Sequence, residues 1–349
     1  METIRATKPL TASGAMQYTF RGIPRQDGRV GTRNYLAVLI ASNCAASAAR
    51  FAAEWFDEDR MAEWPQVDGV LPLVHDVGCG MEMTGEPMDL LRRTLSGTIR
   101  HPNIAGAVVL ALGCERNNVR AFFKQEGLQE SRMLRAIVLQ ESGGTAGAVQ
   151  AAREALLEML PVANSQHRVE VPFSALTVGL QHYGTGAEKA IRDAAQALSE
   201  TGARLILADS RGPGREAGPH PVYGVSPGAY RRYGELAGEE RVTVMQAPEN
   251  PVIATTGQLA AGASLVLAAF DHATDVGATA VPCIKLATAE RSWSRVGMDM
   301  DMASCAKEQA LRDVLPGMLE GYASGQPTLA EKAAAGDAEF IPWPVGVLV

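Results

Sequence analysis

No stretch of about twenty apolar residues runs uninterrupted through the 349 residues, and the opening METIRATKPLTASGAMQYTF has no apolar core of signal-peptide length. Neither a membrane span nor an export signal is expected, which points to the cytoplasm. Basic charge is scarce: 32 Lys and Arg against 39 Asp and Glu leave a net charge of −7. A nucleic-acid binder needs a basic face to displace counterions, so none is expected here. A small anionic substrate is the natural partner, provided that a local cluster of arginines receives it. Cysteines number five, an odd count without regular short-range pairing, which excludes a disulfide framework and suits reduced thiols. Phosphate-binding glycine motifs are missing as well. No strand-like run leads into G-x-G-x-x-G and there is no G-x-x-x-x-G-K-S/T, so neither NAD nor ATP is expected. The serine elbow G-x-S-x-G and the zinc helix H-E-x-x-H are also absent.

What is present is alternation. Apolar residues at 46% and charged residues at 20% belong to a soluble globule. Strand-like and helix-like runs alternate six times between Arg21 and Ser210, which predicts an α/β fold with a doubly wound, mostly parallel, Rossmann-like sheet. The expected organisation is a loose tail over 1–20, the Rossmann-like domain over 21–210, a Gly/Pro-rich linker over 211–245, and a second, smaller α/β domain over 246–349. The closing EFIPWPVGVLV reads as a terminal strand.

Three of the cysteines end three successive strand-like runs: YLAVLIASNC at Cys44, GVLPLVHDVGC at Cys79 and GAVVLALGC at Cys114, each thirty-five residues from the next. In an open parallel sheet the ligand crevice lies beyond the carboxyl ends of the strands. All three thiols are therefore expected to face one crevice. Two readings stand side by side: small buried hydrophobes, or a shared metal or iron–sulfur site, since thiolates suit soft and borderline metals. Three protein ligands would leave one iron of a [4Fe–4S] cluster open as a Lewis acid for elimination of water. Alternatively His182 would complete a mononuclear iron or zinc site. A Cys–His nucleophile through His75 or His182 is a third option. Arg29, Arg33 and Asn34 offer hydrogen-bond donors ahead of the first strand. Asp301, in MDMDMASCA, is either a metal-binding or basic carboxylate, with Asp299, or a helix cap. Cys283 and Cys305 fall outside the register and are expected in the core.

These motifs resemble a known family. DGRVGTRNYLAVL with Cys44, GVLPLVHDVGCG, HPNIAGAVVLALGCERN, VLQESGGT, PENPVIATTGQLAAGA, VPCIKLAT and MDMDM are together similar to the large-subunit region of the altronate and galactarate dehydratases, often called the UxaA family. The resemblance implies an iron-dependent hydro-lyase acting on a small hydroxy or sugar carboxylic acid. In the sulfolactate sulfo-lyase branch it implies a C–S lyase. Onto this chain it carries Gly28, Arg29, Arg33, Asn34, Cys44, His75, Gly78, Cys79, Gly113, Cys114, Glu115, Gln140 and Asp301. The roles expected are His75, Asp301 and Glu115 in proton transfer, and Arg29, Arg33, Asn34 and Gln140 on the substrate, with metal on Cys44, Cys79, Cys114 and His182. The chain departs from the family after the fifth strand, where LQHYGTGAEKAIRDA replaces a C-G-G-S-D segment and His182 stands for a thiol, and at FDHA (270–273), where the family has T-G-R-G. The small N-terminal metal-handling domain of the family is not in the sequence, so a small partner subunit is one expectation, a homo-oligomer another, and a non-catalytic metal-binding or regulatory paralogue a third.

Overall fold

The computed structural model describes residues 18–78, 80–211, 218–272, 277, 280–289, 300–303, 311–334 and 340–345. The described chain opens with a hairpin of β1 (Thr19–Pro24) and β2 (Val30–Gly31). Four strand-to-helix steps follow. β3 (Tyr35–Ile40) leads to α1 (Ala46–Ala53) and the short α2 (Glu58–Met61), and β4 (Gly69–Leu73) to α3 (Glu86–Ile99). β5 (Ile104–Ala111) leads to α4 (Val119–Glu126), and β6 (Leu134–Val138) to α5 (Gly144–Asn164). β7 (Val169–Pro172) then returns to pair antiparallel with β1. The second half contains β8 (Thr177–Tyr183), α6 (Glu188–Thr201), β9 (Arg204–Asp209), β10 (Ala229–Arg231), β11 (Val242–Gln246) and α7 (Pro251–Ala260). It continues with β12 (Leu265–Phe270), β13 (Cys283–Ala287), β14 (Met302–Ala303), α8 (Leu311–Ala323) and α9 (Leu329–Lys332).

The parallel α/β reading holds, but the parallel strands are divided between two sheets, beside a small antiparallel sheet in the order β2-β1-β7. The first is four-stranded in the order β4-β3-β5-β6, and the second seven-stranded in the order β10-β11-β9-β8-β12-β13-β14. A single sheet through residue 210 was expected. Instead β7 carries the chain away from the first sheet to the hairpin, and β8 and β9 become central strands of the second. Nor is the second sheet the smaller. The Gly/Pro-rich stretch expected to be a linker contributes β10, paired parallel to β11. Periodicity identifies a strand; it carries no information on which neighbour the strand will choose.

The central strands β3 and β5 of the first sheet are apolar throughout because helices cover both faces. Along β3, Leu36, Val38 and Ile40 pack with Ala48, Ala52, Leu156 and Leu160 of α1 and α5. The alternate residues Ala37 and Leu39 pack with Leu91 and Leu95 of α3 and Phe122 of α4. Successive side chains of a strand point to opposite faces, and full burial of each large one stabilises the fold by roughly 1.5–3 kcal/mol. In the second sheet Leu180, Leu205 and Leu267 face α6 and α8. Ile206, Val266 and Ala268 instead share a core with α7 and α3. Helices α3 and α7 thus lie between the sheets and touch closely: a Cβ on Gly97 would sit 2.9 Å from the carbonyl carbon of Ala260.

The amino edges of the two sheets are stitched together. Thr32 Oγ1 donates to the Ser264 carbonyl at 2.7 Å, His101 Nε2 to the Ala263 carbonyl at 2.9 Å, and Asn103 Nδ2 to the Ala280 carbonyl at 2.9 Å. Both sheets therefore present their carboxyl ends away from this seam. Burial pushes the seam histidine, His101, down to about 3, and pushes His75 down to about 4, from an ordinary 6.5. Below pH 6.5 the unfolded chain takes up protons that the folded chain refuses. The stability these neutral imidazoles contribute is complete above about pH 6.5 and is lost as pH falls toward 3. The free energy of unfolding in urea should accordingly drop with acidification between pH 6 and 4. In His101→Gln that slope should be shallower by about 1.4 kcal/mol per pH unit; an unchanged slope would place the titration elsewhere.

The closing segment is not a strand over its described residues. Phe340 is buried and the Ile341 N–H donates to Thr256 Oγ1 at 3.1 Å, but no ladder forms. Pro342 and Pro344 lack the N–H groups that a ladder requires. No helix among the described residues is long and apolar enough to cross a membrane.

Candidate active site at the carboxyl edge of the first sheet

Chain order and spatial order diverge between β3 and β5, the place where an open α/β sheet parts its loops and forms a crevice. Cys44 follows β3 and Cys114 follows β5, and both are exposed at that edge. The loop after β4 joins them from the other side. The Asn43 N–H donates to the Val77 carbonyl at 3.0 Å, and a Cβ on Gly78 would lie 3.7 Å from Asn43 Cβ. Residues one and two before Cys79 thus pack on the residue before Cys44, while Cys79 itself lies outside the described residues. Gln140 arrives from β6, its N–H donating to the Leu112 carbonyl at 3.1 Å and its side chain exposed. Gly113 makes room for it: its φ of +123° favours glycine, and a Cβ there would stand 2.6 Å from Gln140 Oε1.

Beneath the thiols lie three polar atoms without partners. Ser42 Oγ, His75 Nδ1 and Glu115 Oε1 are buried and accept or donate no hydrogen bond, on residues that are 1%, 4% and 5% exposed. Each follows one of three adjacent strands. Their other atoms are fixed: His75 Nε2 donates to the Ile40 carbonyl at 3.1 Å, and Glu115 Oε2 accepts from the Gly113 N–H. Burial, outweighing the carbonyls of Ile40 and Val77 and the nearby Asp76 carboxylate, keeps His75 neutral, so with Nε2 as donor its Nδ1 carries a lone pair. An unpaired buried polar group costs about 1–3 kcal/mol. All three lie just past the carboxyl ends of the adjacent strands β4, β3 and β5, where a polar ligand or ion could satisfy them. Behind them Asn117 Nδ2 donates to the Ala41 carbonyl at 2.9 Å, and Asn117 Oδ1 accepts from Arg92 Nε at 3.0 Å. Ser42 and Arg92 escaped the sequence reading. Ser42 had a signal, its position two residues before a strand-end thiol; Arg92 lies in an ordinary amphipathic helix and had none.

Residues 22–164 match the family model for the second domain of D-galactarate dehydratase/altronate hydrolase, and residues 193–348 match the C-terminal model of D-galactarate/altronate dehydratase. The chain belongs to this family. It is similar to the altronate dehydratase of Bacillus subtilis, 27% identical over 90% of this chain and 76% of that protein. An altronate dehydratase of Escherichia coli is 30% identical over 46% of this chain and 31% of its own length. The beta subunit of a (2R)-sulfolactate sulfo-lyase from Chromohalobacter salexigens is 27% identical over 55% of this chain and 46% of its own. The chain thus spans less than half the length of the latter two relatives.

Of the residues carried over by likeness to these dehydratases, Cys44, His75, Gly78, Gly113, Cys114, Glu115 and Gln140 share the carboxyl edge. Arg29, Arg33 and Asn34 do not. They precede β3 and so lie at the amino edge, a strand length of about 20 Å away for six residues at roughly 3.3 Å each. Arg29 pairs with Asp27 at 2.6 Å. Asn34 Nδ2 donates to the Gln66 and Ala163 carbonyls at 2.6 and 3.0 Å. Arg33 uses all five of its donors within the fold, on Glu331 Oε1 and Oε2 and on the carbonyls of Thr32, Tyr322 and Gln326. The role expected for it on a substrate carboxylate is replaced by a structural one. Asp301 is likewise engaged, accepting from the Lys285 N–H at 2.9 Å, the Leu329 N–H at 2.9 Å and the Tyr322 hydroxyl at 3.2 Å. It anchors β13 and starts α9 instead of serving as a base; Asp299 lies outside the described residues.

His182, the penultimate residue of β8, belongs to the second sheet, which corrects the expectation that it completes the thiol set. There its ring meets Tyr223 edge-on at 5.8 Å, near an Asp209–His220 pair at 3.0 Å. Among the described residues no three His, Cys, Asp or Glu side chains are grouped closely enough to hold a metal ion. The described part of the first crevice supplies two thiols and the three unpaired atoms.

Proposed function

We propose that the chain is a hydro-lyase that removes water from a small hydroxy or sugar carboxylic acid at the carboxyl edge of the first sheet. We further propose that iron is held there by Cys44, Cys79 and Cys114, as a [4Fe–4S] cluster or a single ion. The observation that carries the reading is the group of unpaired buried atoms Ser42 Oγ, His75 Nδ1 and Glu115 Oε1 beneath two exposed thiols. Soft thiolates fit iron, and the buried oxygens and nitrogen fit a polar substrate lying against it. The family's dehydratases are named for altronate and galactarate, polyhydroxy acids that match such a lining.

Elimination of water breaks the C–H bond next to the carboxylate and a neighbouring C–OH bond, and the proton and hydroxide leave together as water. Iron bound there would supply a Lewis acid for the departing hydroxyl. Glu115 is placed to take the proton, since the Gly113 N–H fixes one carboxylate oxygen and leaves the other without a partner. The Ser42 hydroxyl donates to a substrate oxygen, and His75 Nδ1, neutral at physiological pH, accepts from a substrate hydroxyl. Gln140 covers the exposed side. Leu39, Ile40, Val109 and Leu110, toward the carboxyl ends of β3 and β5, are fully buried in the core behind this edge.

The test is turnover of altronate and galactarate by the anaerobically purified, iron-supplied protein and by Glu115→Gln. The substitution should lower kcat by about 10²–10⁴-fold, with KM little changed. Full turnover in Glu115→Gln would remove Glu115 from proton transfer.

A further inference from the structure

At the opposite edge of the second sheet, away from the thiol crevice, lies a cavity of about 60 Å³ whose walls include Arg29, Thr177, Arg204, Glu240 and Thr243. Three of its polar wall atoms are buried and unpaired: Arg204 Nε at the start of β9, Glu240 Oε2 in the loop before β11, and Thr243 Oγ1 within β11. Thr243 is 1% exposed, so its hydroxyl has no recourse to solvent. Glu240 Oε1 is already taken by Arg231 at 3.0 Å, which leaves Oε2 facing the cavity. Arg204 forms no ion pair among the described residues.

The requirements of the walls are specific. Arg204 Nε–H needs an acceptor and its charge favours an anion; Glu240 Oε2 needs a donor; Thr243 can serve either. Leaving all three unpaired costs more than one chain usually tolerates at a single spot. At roughly 10–15 Å³ of such space per water, the cavity holds a few waters or one very small molecule. We propose that this cavity binds a two-carbon carboxylate carrying a hydroxyl or ammonium group, with the carboxylate on Arg204 and the proton donor on Glu240. This assignment is independent of the thiol crevice and of the reaction proposed for it.

Calorimetric titration of the full chain with glycolate, glycine and acetate separates the possibilities. Glycolate or glycine should bind saturably, and whichever is tighter identifies the donor as hydroxyl or ammonium. Acetate, which cannot donate to Glu240, should bind at least about tenfold more weakly. Arg204→Gln should weaken the favoured ligand about tenfold or more. Thr243→Val should weaken it several-fold, and Thr243→Ser, which keeps the hydroxyl, should restore it. Acetate binding as tightly as the other two, absence of binding by all three, or an affinity unmoved by Arg204→Gln would overturn the proposal and leave the cavity to water.

Discussion

Cys114→Ser is expected to emerge from anaerobic purification colourless, with iron per chain near zero and turnover down by roughly three orders of magnitude. The magnitude follows from the work asked of a Lewis acid: several kcal/mol of charge stabilisation on the departing oxygen, of which about 4 kcal/mol is a thousandfold in rate. A serine hydroxyl stays protonated where a thiol ionises, and it is a hard donor where iron–sulfur sites take soft ones. Because Cys114 and Cys44 are exposed, neither substitution removes core packing, and the unfolding free energy should stay within about 0.5 kcal/mol. Cys44→Ser and Cys79→Ser should behave alike. Cys283→Ser is the internal control: that thiol is buried in β13 among core residues, so its loss should cost stability and leave colour and turnover intact. A Cys114→Ser protein that keeps its iron and its rate would return these thiols to the packing role that any single cysteine has by default.

The placement of Cys44 and Cys114 past the carboxyl ends of β3 and β5 is legible in the sequence, because a buried parallel strand is a continuous apolar run whose last residue is easily recognised. The same geometry should have placed Arg29, Arg33 and Asn34. Residues that precede a strand lie at its amino end, and ligands gather at the other. A dense cluster of donors beside a strand suggests substrate recognition in the sequence, whereas Arg33 and Asn34, with the neighbouring Arg25, spend their donors on main-chain carbonyls and side chains that lock the hairpin to the rest of the fold. The separation into two sheets was not legible at all. It depends on β7 pairing with β1 over a distance of some 150 residues, a contact decided by tertiary packing and carrying no local pattern. His182 was misplaced for the same reason: its position at a strand end was right, and the sheet was wrong.

Arg33→Met should lower the unfolding free energy by about 3–5 kcal/mol, the usual consequence of removing one partner from a buried ion pair. Arg33 is buried, with a side chain only 4% exposed, and Glu331 lies 2.7 Å away at 19%. Burial works against the charge on the guanidinium, but Glu331 more than offsets it and holds the group above its ordinary value, so Arg33 is a cation in the folded state. Without it Glu331 keeps a charge with no counter-ion, and the carbonyls of Tyr322 and Gln326 lose their donors. Glu331 also accepts from the Thr328 N–H at 2.8 Å and so caps α9, which makes the damage spread from the hairpin into the C-terminal helices. Glu331→Gln should cost less, because an amide oxygen still accepts from the guanidinium and only the charge is lost. Urea titrations of both variants give the stabilities, and the KM of protein kept cold and folded gives the decisive second reading. A structural clamp predicts an unchanged KM beside a large loss of stability. A raised KM with stability preserved would mean that Arg33 reaches the substrate, and that the ligand enters from the amino edge of the sheet.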